Sequence, residues 1–114
     1  MSLIPEKLLA RLTSNWRKNL FENNSIDLKP VAKVFLPDGD FSAIFTEMDP
    51  DRKLLFGLVD HGGGRMKVCA IALTELEDLR GNWGCPVEVD TAFKPKMPLS
   101  GYVKDAAKLG RIAI

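Results

Sequence analysis

The chain is poor in the side chains on which most catalytic and metal sites depend. It contains one histidine, His61, and two cysteines, Cys69 and Cys85, among 114 residues. A Ser-His-Asp triad would have to use His61 as its base, and no serine lies in a Gly-x-Ser-x-Gly sequence. The spacing of the cysteines matches no zinc-binding pattern, so buried free thiols are the simpler interpretation. We therefore expect no catalytic residue, no metal site and no cofactor.

The chain also lacks long hydrophobic runs. No stretch approaches the ~18 apolar residues of a membrane span. The first residues do not combine a basic segment with an apolar core, as a secretory signal would. With 46% apolar and 27% charged residues, the composition is that of a globular protein. We expect a single domain over residues 1–114, located in the cytoplasm and without a membrane partner.

Charge is spread unevenly, although the formal net charge is only +1. Residues 25–90 hold twelve acidic and seven basic side chains, a net charge of −5, whereas residues 91–114 carry a net charge of +4. Because phosphate contacts need clustered Lys and Arg, an acidic centre is a poor nucleic-acid surface. We expect nucleic acid not to be the primary ligand, with weak contact to the basic tail as the alternative.

The segment Thr46–Gly64 is the most informative part of the sequence. Asp49-Pro50-Asp51-Arg52 is typical of a type I turn, and Lys53–Val59 is nearly all apolar, as in a strand buried on both faces. His61-Gly62-Gly63-Gly64 favours a reversal into another strand, because glycine tolerates positive φ. A phosphate-binding loop would need a Lys-Ser/Thr pair and a helix, but Arg65–Val68 indicates a strand.

Hydrophobic periodicity predicts the order helix, four strands, helix, strand, helix. The first helix begins at Pro5, and the Asn-rich run Asn15–Asn24 breaks it or frays it into a loop. Thr74-Glu75-Leu76-Glu77 matches a capping box for the second helix, and Ser100 is the expected cap of the last. Short connections between the first four strands predict an antiparallel meander. The predicted fold is α+β, an antiparallel sheet of four to five strands with about three helices packed on one side.

Two pairs of carboxylates offer an alternative to a purely structural role. Glu47 with Asp49, and Glu88 with Asp90, would each lie on one face of a strand because of its two-residue repeat. Such pairs can serve acid–base chemistry or bind a divalent ion, and they also occur on solvated strands and turns. The enzyme hypothesis stays open on this basis, although the missing catalytic set weighs against it.

The chain resembles the bacterial proteins grouped as domain of unknown function 2958. The residues that carry the resemblance are Lys29-Pro30-Val31, Lys33, Phe35, Pro37, Thr46-Glu47, Asp49-Pro50, Phe56-Gly57-Leu58, Asp60, Leu73, Glu75-Leu76, Leu79, Gly81, Gly84, Pro86-Val87-Glu88, Asp90 and Phe93. The resemblance covers nearly the whole chain. It implies a small protein carried by plasmids, conjugative elements or phages, with no established activity.

The chain departs from the family pattern at three places. Such proteins tend to have Trp at the position of Ala43, Glu-Leu-Gly and an aromatic at Lys67–Ala70, and Arg at Val89. An aromatic, a carboxylate and a guanidinium on neighbouring strands could form a polar site. Without them, the chain is expected to be a divergent member, and Lys67, Cys69 and Val89 raise the question of a lost site.

These observations favour a binding protein. A binding surface needs only a few rigid aromatic or charged residues, whereas catalysis needs several groups in fixed geometry. We expect a protein partner, with an anti-defence (anti-CRISPR or anti-restriction) or conjugation accessory role, and self-association stays open. The candidate binding residues are three carboxylates and three aromatic residues: Glu47, Asp49, Asp51, Trp16, Phe21 and Trp83.

Overall fold

The structure, a computed structural model, describes residues 3–21 and 27–112. Within these residues, three helices and five strands follow the predicted order. Their bounds are α1 Glu6–Phe21, β1 Ala32–Phe35, β2 Ser42–Met48, β3 Leu54–Asp60, β4 Met66–Ala72, α2 Leu73–Asp78, β5 Glu88–Val89 and α3 Leu99–Leu109. The predicted α+β fold class is confirmed.

The strands form one antiparallel sheet in the order β4-β3-β2-β1-β5. The first four strands are a meander, and β5 returns to the far side of β1, where Val89 pairs with Val34. The predicted turn between β2 and β3 is closed by a 2.9 Å hydrogen bond from the Arg52 amide to the Asp49 carbonyl. Positive φ angles at residues 62–64 reverse the chain into β4, so the glycine run acts as a turn.

The hydrophobic core has two parts, one on each face of the sheet. Ala43 and Phe45 of β2 belong to a cluster that includes side chains of α1 and α2, which we call the first face. Ile44, between them, contacts a second cluster with Tyr102 and Ala106 of α3, on the second face. The prediction that all helices pack on one side is therefore wrong. Because β2 and β3 carry consecutive apolar residues, both faces need cover.

Helix α1 packs against the part of β2 that β1 does not reach, although β3 still pairs with that part on its other side. β1 pairs with β2 only as far as Phe45, and the Asn15 side-chain amide donates a 2.9 Å hydrogen bond to the next carbonyl, that of Thr46. The prediction that the run from Asn15 breaks or frays the helix is wrong for its described part, because α1 continues to Phe21. The tertiary hydrogen bond offsets the low helix propensity of asparagine. The end of the predicted Asn-rich run, Asn23 and Asn24, lies outside the described residues.

Both predicted helix caps are wrong. Helix α2 follows directly from β4, with Ala72 in the N-cap position and no side-chain capping bond from Thr74. The Leu73 amide instead donates to the Lys53 carbonyl at 2.8 Å, continuing the strand ladder into the helix. Helix α3 begins at Leu99, and Ser100 uses both its amide and its hydroxyl to bind the carboxylate of Asp27.

Candidate functional site

Trp83 projects from a short loop between α2 and β5, with 87% of its surface exposed. The carboxylate of Asp38, in the turn between β1 and β2, accepts a 2.6 Å hydrogen bond from the Trp83 amide and a 3.2 Å bond from the Cys85 amide. A bond of 2.9 Å from the Gly81 amide to the Cys85 carbonyl closes the loop at its base. The backbone of Trp83 is thus fixed while its indole ring faces solvent. We call residues 81–85 the Trp83 loop.

The contact between Asp38 and the Trp83 loop requires a glycine at position 81. A Cβ atom on Gly81 would lie 1.5 Å from Oδ1 of Asp38, far inside van der Waals contact. Burial acts to raise the pKa of Asp38, but the hydrogen bonds from the two loop amides outweigh it and hold the pKa below its usual value. A hydrogen bond to this carboxylate is the main reason why the pKa of the Cys85 thiol is raised.

Glu47 lies at the other end of the sheet, half-buried beside α1. The Asn19 amide of α1 donates to both of its carboxylate oxygens, at 3.2 and 3.4 Å. Burial raises the pKa of Glu47, and the hydrogen bond from Asn19 only partly offsets that effect. This carboxylate is therefore held in a partly desolvated position, and it is not part of an open acidic surface.

Asp49 and Asp51 differ in their roles within the β2–β3 turn. Oδ1 of Asp49 accepts hydrogen bonds from the amides of Lys53 and Leu54, at 2.8 and 2.7 Å, so this carboxylate holds the turn together. Asp51 is exposed. Arg52, the next residue, forms a two-pronged ion pair with Glu6 of α1 at 2.6 and 2.7 Å. The segment from Glu47 to Asp51 thus presents less free negative charge than its sequence indicates.

The other two aromatic candidates lie on α1. Trp16 is half-buried, and its ring packs on Phe56 of β3 at a centroid separation of 5.1 Å. Phe21, at the end of the helix, is 91% exposed. Phe56 also lines a groove of about 430 Å³ on the second face, together with Glu47 and Val68. The structure therefore divides the six candidate residues: Trp83 stands alone near the β1–β2 turn, and the other five lie on α1, at the end of β2 and in the β2–β3 turn.

In the second carboxylate pair, Asp90 is engaged within the fold, whereas Glu88 is exposed. Asp90 forms an ion pair with Lys33 at 3.5 Å and accepts a hydrogen bond from the Ala92 amide at 2.9 Å. Across the described ranges, no three side chains of His, Cys, Asp or Glu come together in a way that could hold a metal ion. Cys69 and Cys85 are half-buried free thiols, more open than the buried thiols predicted.

The three positions at which the chain departs from the family pattern do not meet in one place. Ala43 and Val89 flank Val34 on the first face, but Lys67–Ala70 lie on β4 at the opposite edge of the sheet. Four strand spacings separate β4 from β5, which amounts to roughly 19 Å. The hypothesis that these positions share neighbouring strands is wrong, so their loss in this chain does not remove one common site.

Sequence reasoning missed Asp38 and Asn19, the two residues that organise the candidate surfaces. Asp38 lies in a Pro-Asp-Gly-Asp sequence, where an aspartate is ordinarily explained by the turn itself. Asn19 lies within the asparagine run that was expected to break α1. Each acts over more than 25 residues of sequence, Asp38 on Trp83 and Asn19 on Glu47. Local patterns carry no signal for such contacts.

Comparison with known proteins places the chain in a family. A family model described as "Protein of unknown function (DUF2958)" matches residues 3–113. Because the match spans nearly the whole chain, the chain belongs to this family. No curated protein and no solved structure matches it significantly. Within the described residues, no helix has the length and apolar content needed to cross a membrane.

Proposed function

We propose that this member of the DUF2958 family is a non-enzymatic protein that acts by binding another protein through Trp83. The observation that carries the proposal is a large aromatic side chain, 87% exposed, on a loop whose backbone is held by Asp38. Tryptophan is enriched among the residues that dominate interface energies. Fixing its backbone before binding reduces the ordering cost of association.

Several features favour binding over catalysis. Glu47 is bonded to Asn19, Asp49 holds a turn, and Asp90 pairs with Lys33. Three of the four carboxylates that the sequence offered for acid–base work therefore serve the fold. A divalent-ion site would need these carboxylates to lie close together, but each has its own partner in a different part of the fold. The Trp83 loop needs no such convergence, because one rigid anchor suffices to begin an interface.

We extend the proposal to the class of partner. The resemblance to proteins of plasmids, conjugative elements and phages suggests a target in a host defence complex, restriction or CRISPR, or in the conjugation machinery. The net charge of −5 over residues 25–90 suits a partner whose own surface evolved to bind nucleic acid, by charge complementarity. In this reading the protein competes for a basic surface and acts as an anti-defence or conjugation accessory factor in the cytoplasm.

The experiment places a photo-cross-linking amino acid at Asn82, an exposed residue beside Trp83, and identifies the covalent product in cells. Affinity for the identified partner is then measured for Trp83→Ala and for Leu109→Ala, a matched control that truncates another large exposed side chain, 57% exposed on α3. We expect Trp83→Ala to weaken binding by about 30-fold or more, the effect of losing ~2 kcal/mol. Leu109→Ala should bind like the natural protein.

A further variant separates the role of the Trp83 side chain from that of the carboxylate that holds its loop. Asp38→Asn removes the charge that holds the Trp83 loop and should weaken binding while leaving the circular dichroism spectrum unchanged. Wild-type affinity in folded Trp83→Ala would refute the proposal, as would a cross-link from position 109 that is stronger than that from position 82. Turnover of a small molecule by the purified protein would replace the binding function altogether.

A further inference from the structure

Strand β4 lies at one end of the sheet, and its outer edge has no partner strand within residues 3–21 and 27–112. The hydrogen bonds from His61 to Arg65 and from Leu73 to Lys53 fix which residues of the β3–β4 pair are bonded to each other. By the alternation of an antiparallel ladder, residues 67, 69 and 71 bond to β3. The backbone groups of residues 66, 68, 70 and 72 therefore point outward. We call this row of groups the β4 edge.

The β4 edge has little of the protection that isolated sheet edges usually carry. Its sequence, MKVCAIA, contains a single charge, Lys67, and no proline. Val68 is 57% exposed, and Ala70 is exposed on the same face. A long apolar edge strand with unpaired backbone groups is a template for another strand. The edge is thus suited to accept one.

We propose that the β4 edges of two copies of this chain pair antiparallel about a two-fold axis at Cys69. All seven residues of the strand then find partners, with Val68 opposite Ala70 and Met66 opposite Ala72. The outward backbone groups would form about eight hydrogen bonds between the copies. The two four-strand meanders would join into one continuous sheet.

Charge identifies a second copy as the partner strand. Arg65 and Lys67, both exposed, lie at the beginning of the β4 edge, and exposed Glu75 and Asp78 lie on α2 just beyond its end. Antiparallel self-pairing brings the basic end of β4 in one copy beside the acidic α2 of the other. Because of the two-fold symmetry, this contact occurs twice in the dimer. An edge with opposite charges at its two ends is complementary to itself in this orientation.

The central register is also the best of the permitted ones. Outward-facing residues must oppose outward-facing residues, so the strands can shift only in steps that preserve this match. The smallest permitted shift of one β4 strand along the other, in either direction, leaves two residues of each strand unpaired. A larger shift that moves the axis toward Arg65 places Lys67 opposite Lys67 of the other copy. Like charges directly opposite each other are destabilising. Centring the axis on Cys69 avoids both losses.

Charge exchange between copies tests the proposal by sedimentation velocity from about 1 to about 500 µM. The natural chain should dimerise within this range. Arg65→Glu with Lys67→Glu gives one variant, and Glu75→Lys with Asp78→Lys gives another. Each alone faces like charge at both contacts and should dimerise at least about tenfold more weakly. An equimolar mixture of the two variants should recover the dimer, because each contact is again attractive.

The cysteines report the register. Opposite residues at a non-hydrogen-bonded position lie about 4.5 Å apart between Cα atoms, within the range of a disulfide. Mild oxidation with copper–phenanthroline should therefore cross-link two copies through Cys69. Cys85→Ser should cross-link equally well, and Cys69→Ser should not.

Three results would overturn the proposal. The first is a natural chain that stays monomeric over the whole concentration range. The second is a dimer whose stability is unchanged in both charge variants, and the third is a dimer that cross-links through Cys85 but not through Cys69. None of them depends on the protein-binding role of Trp83, so the two proposals fail separately.

Discussion

Gly81→Ala is expected to destabilise the protein through one specific collision. The new methyl group would lie 1.5 Å from Oδ1 of Asp38, so the carboxylate must move and release its bonds to the Trp83 and Cys85 amides. Forcing an extra carbon into a well-packed position costs about 1–3 kcal/mol. We expect a loss of this size in the free energy of unfolding, measured by urea denaturation followed by circular dichroism.

The mechanism can be separated from a general intolerance of alanine. In an Asp38→Ala background the obstructing carboxylate is gone, so adding Gly81→Ala should cost little more, and the double-mutant cycle should show strong coupling. Gly84 of the same loop supplies the control. It has a φ of 84° and no atom near its Cβ position, so Gly84→Ala is strained by its backbone alone. Its cost should be unaffected by Asp38→Ala.

The result that would refute this reasoning is additivity. If Gly81→Ala costs as much without Asp38 as with it, the glycine is required for another reason and Asp38 does not hold the loop. A Gly81→Ala protein of wild-type stability, with unaltered accessibility of Trp83 to a fluorescence quencher, would be equally damaging.

Three further predictions concern Glu47, metal and nucleic acid. Because burial raises the pKa of Glu47 in the folded state, its protonated form favours folding. That contribution is complete below the unfolded-state pKa and is lost as pH rises through the folded-state pKa. Glu47→Gln should therefore remove part of the fall in stability above acidic pH, measured by denaturation at several pH values, and an unchanged pH profile would contradict this. Elemental analysis of protein purified without added metal should find less than one equivalent of zinc, and an ion retained in stoichiometric amount through dialysis would overturn this expectation. Gel shifts near physiological salt should show only weak binding of random DNA, and sub-micromolar affinity abolished by Lys104→Glu with Lys108→Glu would instead establish the basic tail as a nucleic-acid surface.

The strands were predictable because their signals are local. The apolar run after the Asp49–Arg52 turn and the glycines after it determine where β3 begins and ends, with little help from the rest of the chain. The helix caps were not predictable in the same way. Thr74 has the right spacing for a capping box, but the Leu73 amide already has a partner in Lys53, twenty residues earlier. The local capping motif is therefore not used, because a tertiary hydrogen bond determines how this helix begins.

In the candidate site, too, local features could be predicted from the sequence and tertiary contacts could not. An exposed tryptophan beside glycines could be named from the sequence, because large aromatic residues near loops are candidate anchors. What makes Trp83 rigid is Asp38, and 45 residues separate the two. The groove at Glu47 likewise depends on Asn19, across 28 residues. The sequence shows which residue types are suited to a binding surface. The contacts that hold those residues in place can be identified only in the folded structure.

The position of α1 along the part of β2 that β1 does not reach has a consequence for the order in which the chain folds. A helix of 16 residues is only marginally stable alone in water, and the partners of Asn15, Trp16 and Asn19 lie in β2 and β3. Helix α1 is synthesised first, but the parts of β2 and β3 that stabilise it are synthesised some thirty to forty residues later. The helix and the β2–β3 hairpin are therefore expected to acquire protection from hydrogen exchange together, as one cooperative unit that spans the first half of the chain.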